Sequence, residues 1–331
     1  MARMTAAALE ALLLEKLEGV GFSAAAAKAL ARQSVLSEAL GQPHLGVGHI
    51  FDYSDAVKAG RIDGRAVPQV SRPAPAVLLV DGAGGLPQTG FDMALKDLTA
   101  AARKLGLAMF LSKNAFTCGA LGTFALDLAE AGLLALAATN GPPLLAGSGA
   151  KQAVYCTNPM AFAAPQAEGP PLLIDQSSSA TAFVNVRAAA ARGEEIPAGW
   201  AIDAEGRPTR DPQAAMEGAL LAFGGARGAN IALMVEVLAA GLSGANWSLD
   251  APSILEGDAC CATGLFVLAI DPAPAAPGFT ARLGAQLKRL AGAYGVHIPG
   301  LAKGKHRETA AHRGLEVDDA LLARVKALAA G

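Results

Sequence analysis

The sequence predicts a mixed α/β fold, with a sheet-forming middle flanked by helical segments from the two ends of the chain. Short apolar runs at 76–80, 107–112, 133–138 and 265–270, and another ending at Asp175, are each cut off by polar or turn-forming residues. That is the pattern of buried strands. Segments of helix length lie between them, and the stretches before residue 60 and after about 280 read as helices. The GxGxxG fingerprint, following a strand and opening a helix, occurs nowhere in the chain. A doubly wound dinucleotide fold of the Rossmann kind is therefore not expected.

Composition narrows the classes further. The chain has 331 residues, enough for two domains or one elaborate one. Hydrophobic residues make up 52% and charged residues 17%, a globular balance that excludes disorder. Aromatics are scarce at 5%, so packing must rely on close-set helices of small residues. A net charge of −2 without any basic block argues against nucleic acid or an anionic membrane as partner. No apolar run is long enough to span a bilayer. The Ala- and Leu-rich start is broken by Glu10, Glu15 and Lys16, which predicts an amphipathic helix and not a signal peptide. Cys118, Cys156, Cys260 and Cys261 show neither CxxC nor metal-ligand spacing. No metal site is expected, and thiols kept reduced in the cytoplasm fit this pattern.

Taken in order, residues 5–17 and 23–40 read as helices, with Ser23 an N-cap and Gly41 a stop. His44 and His49 then flank a glycine-containing turn before the next helix, and histidine is the common acid or base near neutrality. Surface or capping histidines are the plainer alternative. Strand 76–80 ends in Asp81-Gly82-Ala83-Gly84-Gly85, and a helix from about 91 to 105 follows. Strand 107–112 delivers Lys113, Asn114 and Thr117 just ahead of helix 121–131, a placement suited to an anionic ligand.

Residues 133–165 hold the densest set of ligand-type residues. Strand 133–138 stops at Thr139-Asn140-Gly141-Pro142-Pro143, and the loop Gly147-Ser148-Gly149-Ala150-Lys151 leads to an extended piece ending in Thr157-Asn158-Pro159. Small residues let backbone N–H groups approach an anion closely. Ser148 and Thr157 add hydroxyls and Lys151 a cation. By itself such a loop is as readily an ordinary connection. Beyond Asp175, a serine run predicts a helix starting near Ser178 or Ser179, whose hydroxyls suit either capping or phosphate. Residues 192–213 read as a polar surface excursion. Gly224-Gly225-Ala226-Arg227 opens another helix, with Arg227 able to bind phosphate bidentately. The loop at 244–264 has the length of a functional lid.

Together TNGPPLL, CTNPMAFAAP, LLIDQSSS, EIPAGWAIDAEGRPTRDP, ALLAFGGARG and LMVEVLAAGLSGANWS resemble the type-2 malate/lactate dehydrogenase family. That family includes sulfolactate and ureidoglycolate dehydrogenases and the Δ1-piperideine- and Δ1-pyrroline-2-carboxylate reductases. The resemblance runs from about residue 5 to the C-terminus and is strongest, at GANWS, with the cyclic-imine reductases. It implies a non-Rossmann NAD(P)-binding fold of the sulfolactate dehydrogenase type and a homodimer. It also implies a division into a helical, dimerisation and substrate-side domain (1–70 with about 280–331), a sheet segment (71–118) and an NAD(P)H-binding domain (119–279).

Departures from the family pattern fall in the reacting half. The family's Ser-His-Gly-x-x-Arg lines up with His44-Leu45-Gly46-Val47-Gly48-His49, so its proton-donating histidine falls on Leu45 and its arginine on His49. A second family histidine becomes Thr117, a polar position after the serine run becomes Asn185, and the GGxKG lysine becomes Arg227. With the family's donor position filled by Leu45, His44 one position away is the expected proton donor, with Thr117 and Asn185 as polar neighbours; His49 or Lys113 is expected to hold the substrate carboxylate, with Asn114 on the same side. Ser148, Lys151, Thr157, Asn158, Pro159, Ser178, Ser179, Gly224, Gly225 and Arg227 would bind cofactor, NADPH before NADH because Lys151 and Arg227 can meet a 2′-phosphate. The expected reaction is hydride transfer at the carbon beside a carboxylate, on a cyclic 2-imino acid. A 2-hydroxy acid dehydrogenase, and a catalytically weak dinucleotide binder, are the alternatives.

Overall fold

The computed structural model describes residues 1–328. Helices α1 (Ala6–Val20) and α2 (Ala24–Ala39) each start on a side-chain cap, Thr5 Oγ1 accepting from Ala8 N at 3.1 Å and Ser23 Oγ from Ala26 N at 3.3 Å. In α1 the buried residues Leu9, Leu13, Leu17 and Val20 recur at helical spacing. They share one core with Ile50 and Tyr53 of α3 (Ile50–Lys58) and with Leu315, Val317, Leu322 and Val325 from the far end of the chain. Strand Ala2–Met4 pairs antiparallel with Leu315–Val317. The two ends thus close on each other as one helical unit.

The central sheet has seven strands. In chain order they are β1 (Gln69–Ala74), β2 (Val77–Asp81), β3 (Leu107–Ala115), β4 (Leu134–Thr139), β5 (Met160–Ala164), β6 (Leu172–Gln176) and β7 (Thr263–Ile270). Their spatial order is β1-β2-β3-β7-β4-β5-β6, and only β2 and β3 run parallel. The last strand is therefore inserted at the centre. Helices α4 (Pro87–Leu105) and α5 (Leu121–Glu130) cover one face, where Phe91 meets Phe110 and Phe124 edge-on with centroids at 5.3 and 4.9 Å.

Between β6 and β7 lie α6 (Phe183–Arg192), α7 (Pro212–Glu217) and α8 (Ala226–Glu236), the last running on through a π turn, Val237–Gly241. Val235 and Ala239 from this stretch pack on Leu111, Ala138 and Phe266 of the sheet's second face. Helices α9 (Phe279–Tyr294), α10 (Leu301–Arg313) and α11 (Asp319–Lys326) complete the chain. No described helix is long and apolar enough to cross a membrane.

Two expectations are corrected. The helix expected at Ser178 or Ser179 begins only at Phe183. Residues 178–181 instead bond across to 221–223, with Ala180 N donating to Leu221 O at 2.8 Å and Phe223 N to Ser178 O at 3.0 Å. Those backbone groups are already committed, so no helical turn forms there. The excursion at 192–213 is partly ordered as sheet. Strands Ala201–Ile202 and Pro208–Thr209 join Ala219–Leu220, Leu145–Ala146 and Ala153–Tyr155 in a second sheet of five short strands.

Candidate active site

Two 3-10 turns, Pro43–Leu45 and Val47–His49, carry the first histidines from α2 to α3. Glu38 sets their position by accepting from Val47 N at 3.0 Å. A Cβ on Gly46 would lie 2.1 Å from Glu38 Oε2, so a side chain there would displace the carboxylate that holds Val47 N. Burial raises the Glu38 pKa, against the effect of the Val47 bond. His49 Nδ1 meets Asp52 Oδ2 at 2.9 Å, and its ring stands edge-on to Tyr53 at 5.0 Å. Tyr53 donates to Thr117 O at 3.1 Å. Gln88 donates to Cys118 O at 3.0 Å and to Gln33 Oε1 at 2.9 Å. The loop bearing Thr117 is thereby fastened to both helices beneath the histidine turns.

His44 sits in a field of opposing charges. His44 is exposed at the surface of its turn, but neighbouring atoms still withdraw part of its solvation, which is the largest influence and lowers its pKa; His49 and Lys303 push the same way, while Asp175 favours the proton. Asp175 ends β6 with its Oδ2 accepting from Gly122 N at 3.0 Å, at the start of α5. Burial raises its pKa, opposed by Lys303, the Gly122 bond, His44 and Gln42. Neither Asp175 nor Lys303 was among the residues expected from sequence. Asp175 had a usable signal, a polar residue at a strand end facing a helix N-terminus. Lys303, in the first turn of α10, had none.

The remaining substrate-side residues are less closely gathered. Lys113 is half-buried at the end of β3. Asn114, near the end of β3, has a φ of +50° and its Nδ2 donates to Asp81 Oδ2 at 2.8 Å, so its side chain is occupied bracing the end of β2. Asn185, exposed on α6, donates to Thr181 Oγ1 at 3.1 Å. It lines a cavity of about 280 Å³ with Arg192 and Trp200, with no bond to the histidine turns. Leu45 is half-buried beside His44.

The glycine-rich loops converge on a separate groove. A cavity of about 430 Å³ is walled by Gly147, Ser148, Gly149 and Ala150 on one side and by Gly224, Gly225 and Ala226 on the other. Gly149, Gly224 and Gly225 have φ of +81°, +58° and +65°, and a Cβ on any of them would meet nothing within 4 Å. Their backbone therefore faces open space, beside the uncapped N-terminus of α8. Free N–H groups and the helix dipole there favour an anion such as a diphosphate. Lys151 and Arg227 are exposed and each follows a wall residue directly.

Other motif residues build the groove's frame. Thr157 O accepts from Ser178 N at 2.8 Å, Asn158 O from Ser178 Oγ at 2.7 Å, and Pro159 O from Thr139 N at 3.4 Å. Ser179 Oγ donates to Thr181 O at 2.6 Å. Asn158 is buried, with Nδ2 donating to Ala232 O at 2.8 Å and Glu236 Oε2 at 2.7 Å. Glu236, also buried, accepts from Ser248 N at 2.5 Å and Ser248 Oγ at 2.9 Å. Asn140 accepts from Gly264 N at 2.8 Å and donates to Asn246 O at 2.9 Å. The long loop is thus tied at both ends to Asn140 of TNG, and through Ser248 and Glu236 to Asn158 of CTNP. Among the described residues no group of three or more His, Cys, Asp or Glu is placed to hold a metal ion.

Comparison with known proteins identifies the family. A family model described as malate/L-lactate dehydrogenase matches residues 4–326. The chain is 36% identical over 323 residues to the Δ1-pyrroline-2-carboxylate/Δ1-piperideine-2-carboxylate reductase of Pseudomonas putida, covering 97% of this chain and 95% of that one. It is 35% identical to the NADP-dependent (2R)-3-sulfolactate dehydrogenase of Chromohalobacter salexigens, covering 97% and 96%. Among solved structures, the Δ1-piperideine-2-carboxylate reductase of Pseudomonas syringae pv. tomato superposes with a TM-score of 0.94 at 33% identity, covering 99% of this chain and all of that one. The chain belongs to the malate/L-lactate dehydrogenase family and is an oxidoreductase.

Proposed function

We propose that the protein reduces a cyclic 2-imino acid, Δ1-pyrroline-2-carboxylate or Δ1-piperideine-2-carboxylate, to the L-amino acid, using NADPH in preference to NADH. The observation that carries this reading is that Leu45 stands where the family resemblance puts its proton-donating histidine, with only the exposed His44 beside it. Such a site supplies a proton poorly near neutrality. A cyclic imine arrives protonated, whereas an oxo acid must be given its proton in the reaction.

The open glycine cradle at 147–150 and 224–226 would hold the diphosphate of a nicotinamide dinucleotide, and the exposed Lys151 and Arg227, each next in sequence to a groove residue, would meet a 2′-phosphate. When bound, the dinucleotide supplies the hydride. The chain's own residues do the rest. Asp175 offers negative potential to a cationic imine, while His49 and Lys113 bind its carboxylate. The neutral His44 ring accepts the imine N–H as a hydrogen bond. With a neutral imine, the protonated ring donates instead, and in either case one proton at nitrogen completes the amine. Residues 1–70 with about 280–331 serve as the substrate-side unit and 119–279 as the cofactor unit; the dimer contact, expected on the first, is assigned instead to the exposed apolar stripe of α8. The working form is a homodimer in the cytoplasm.

The test is NADPH and NADH oxidation with the two cyclic imines, pyruvate, oxaloacetate and 2-oxoglutarate, each repeated with His44→Ala. Imine turnover that collapses in the variant is the expected result. Oxo-acid turnover that survives it would assign the protein to the hydroxy-acid dehydrogenases, the reading that the sulfolactate dehydrogenase relative favours. Tight NADPH binding without turnover on any of these would mark a weak or inactive homologue. Lys151→Ala should lower the NADPH/NADH preference; an unchanged ratio removes Lys151 from the cofactor site.

A further inference from the structure

We infer that Tyr53 and Gln88 are positioning residues that hold the loop 117–120 in the conformation the reaction needs. This loop joins β3 to α5, and among the described residues no backbone N–H donates to Thr117 O or Cys118 O. Side chains from three helices fill that role. Tyr53 of α3 donates to Thr117 O at 3.1 Å, and Gln88 of α4 to Cys118 O at 3.0 Å. Gln33 of α2 accepts from Gln88 Nε2 at 2.9 Å and donates from its own Nε2 to Thr123 Oγ1 at 2.9 Å. Thr123 Oγ1 closes the set by donating to Ala120 O at 2.7 Å. Gly119 turns over this hub with a φ of +66°, and a Cβ there would lie 3.0 Å from Tyr53 Oη and 3.1 Å from Gln33 Oε1.

The hub lies in the core: Tyr53, Gln88, Gln33 and Thr123 are 1%, 2%, 4% and 2% exposed. Apolar side chains would join these helices without the cost of burying two amides and two hydroxyls. What the polar hub adds is one fixed path for a loop that lies outside any helix or strand.

That path matters at both of its ends. It sets Thr117 at one, and at the other the start of α5, whose Gly122 N donates to Asp175 Oδ2 at 3.0 Å. Tyr53 also meets the histidine turns, its ring edge-on to His49 at 5.0 Å and to Phe116 at 5.9 Å. One buried side chain thus contacts the substrate-side histidine through its ring and the Thr117 loop through its hydroxyl.

Tyr53→Phe keeps the ring and removes only the hydroxyl, so it frees the loop and leaves His49 in place. In the native protein without substrate, hydrogen–deuterium exchange at the Cys118, Gly119 and Ala120 amides should quicken by roughly tenfold, with α1 unchanged. The kinetic consequence rests on the proposed reaction. On the cyclic imine kcat should fall by roughly tenfold while KM stays within about twofold, since the loop residue is misplaced and the carboxylate contact persists. Gln88→Met, checked for folding by its melting curve, should quicken the same amides by releasing Cys118 O. Exchange at 118–120 that keeps the parent's rate in either folded variant overturns the proposal, and so does a KM that rises in Tyr53→Phe with kcat unchanged. A parent without imine turnover would instead fail the proposed reaction; the exchange result, read without substrate, then decides the positioning role.

Discussion

At His44 the chemistry reduces to which charges its proton meets. Burial, His49 and Lys303 disfavour the imidazolium, and Asp175 alone among the named neighbours favours it. The folded pKa thus lies below the ordinary 6.5. If the protonated ring is the donor to a neutral imine, kcat/KM should fall as pH rises through a midpoint below that value. Lys303→Met removes a repelling cation and should move this limb to higher pH; Asp175→Asn removes the favouring charge and should move it to lower pH. A limb that stays fixed in both variants would detach it from His44. The same depressed pKa has a stability consequence of known sign. This group's contribution is present above the unfolded value and is lost as pH falls through the folded one. His44→Ala should cost ~10²-fold in turnover, the low end for loss of an acid–base group, because the substrate brings its own proton.

Elements matter here chiefly as the supports of loops. Gly46→Ala would push the Glu38 carboxylate off Val47 N and should cost about 1 kcal/mol through the lost hydrogen bond that sets the histidine turns. Turnover should fall with it, measured beside the thermal midpoint; a variant as stable and as active as the parent would show that the turns tolerate displacement. Glu236→Ala leaves Asn158 Nδ2 without its carboxylate partner and Ser248 N without an acceptor, in a buried setting. The expected cost is about 3 kcal/mol, with weaker NADPH binding because the groove frame and the long loop share that carboxylate. Unchanged denaturant midpoint and cofactor affinity would contradict it.

These elements also show what the sequence could and could not reveal. Capped helices such as α2, announced by Ser23, and apolar strands such as β4 were legible because capping and burial are local. The glycine loops at 147–150 and 224–226 were legible as open loops of small residues, though not their meeting across one groove. The serine run misled, since its hydrogen bonds go to 221–223, more than 40 residues away. Lys303 was invisible because only tertiary folding brings α10 to the field around His44 and Asp175.

At the scale of the whole molecule, the surface over α8 is the feature that a lone chain does not explain. Leu233, Val237 and Leu242 are 48%, 51% and 51% exposed. The first two are one α turn apart. The step from 237 to 242 is five residues, and the π turn at Val237–Gly241 is what lets Leu242 continue the same stripe. Trp247, itself 45% exposed, closes one end by lying against Gly241, where a Cβ would come within 2.7 Å of its ring. A stripe of large apolar side chains of this kind marks an association surface. A second copy of the chain is the occupant that fits the proposed homodimer, because a two-fold axis would bring the stripe against itself. Val237→Glu combined with Leu233→Glu places two like charges per chain in that contact. Light scattering after size exclusion should then report a monomer, with the parent a dimer. A double variant that remains dimeric would place the interface elsewhere, and a monomeric parent would remove the dimer from the proposed function.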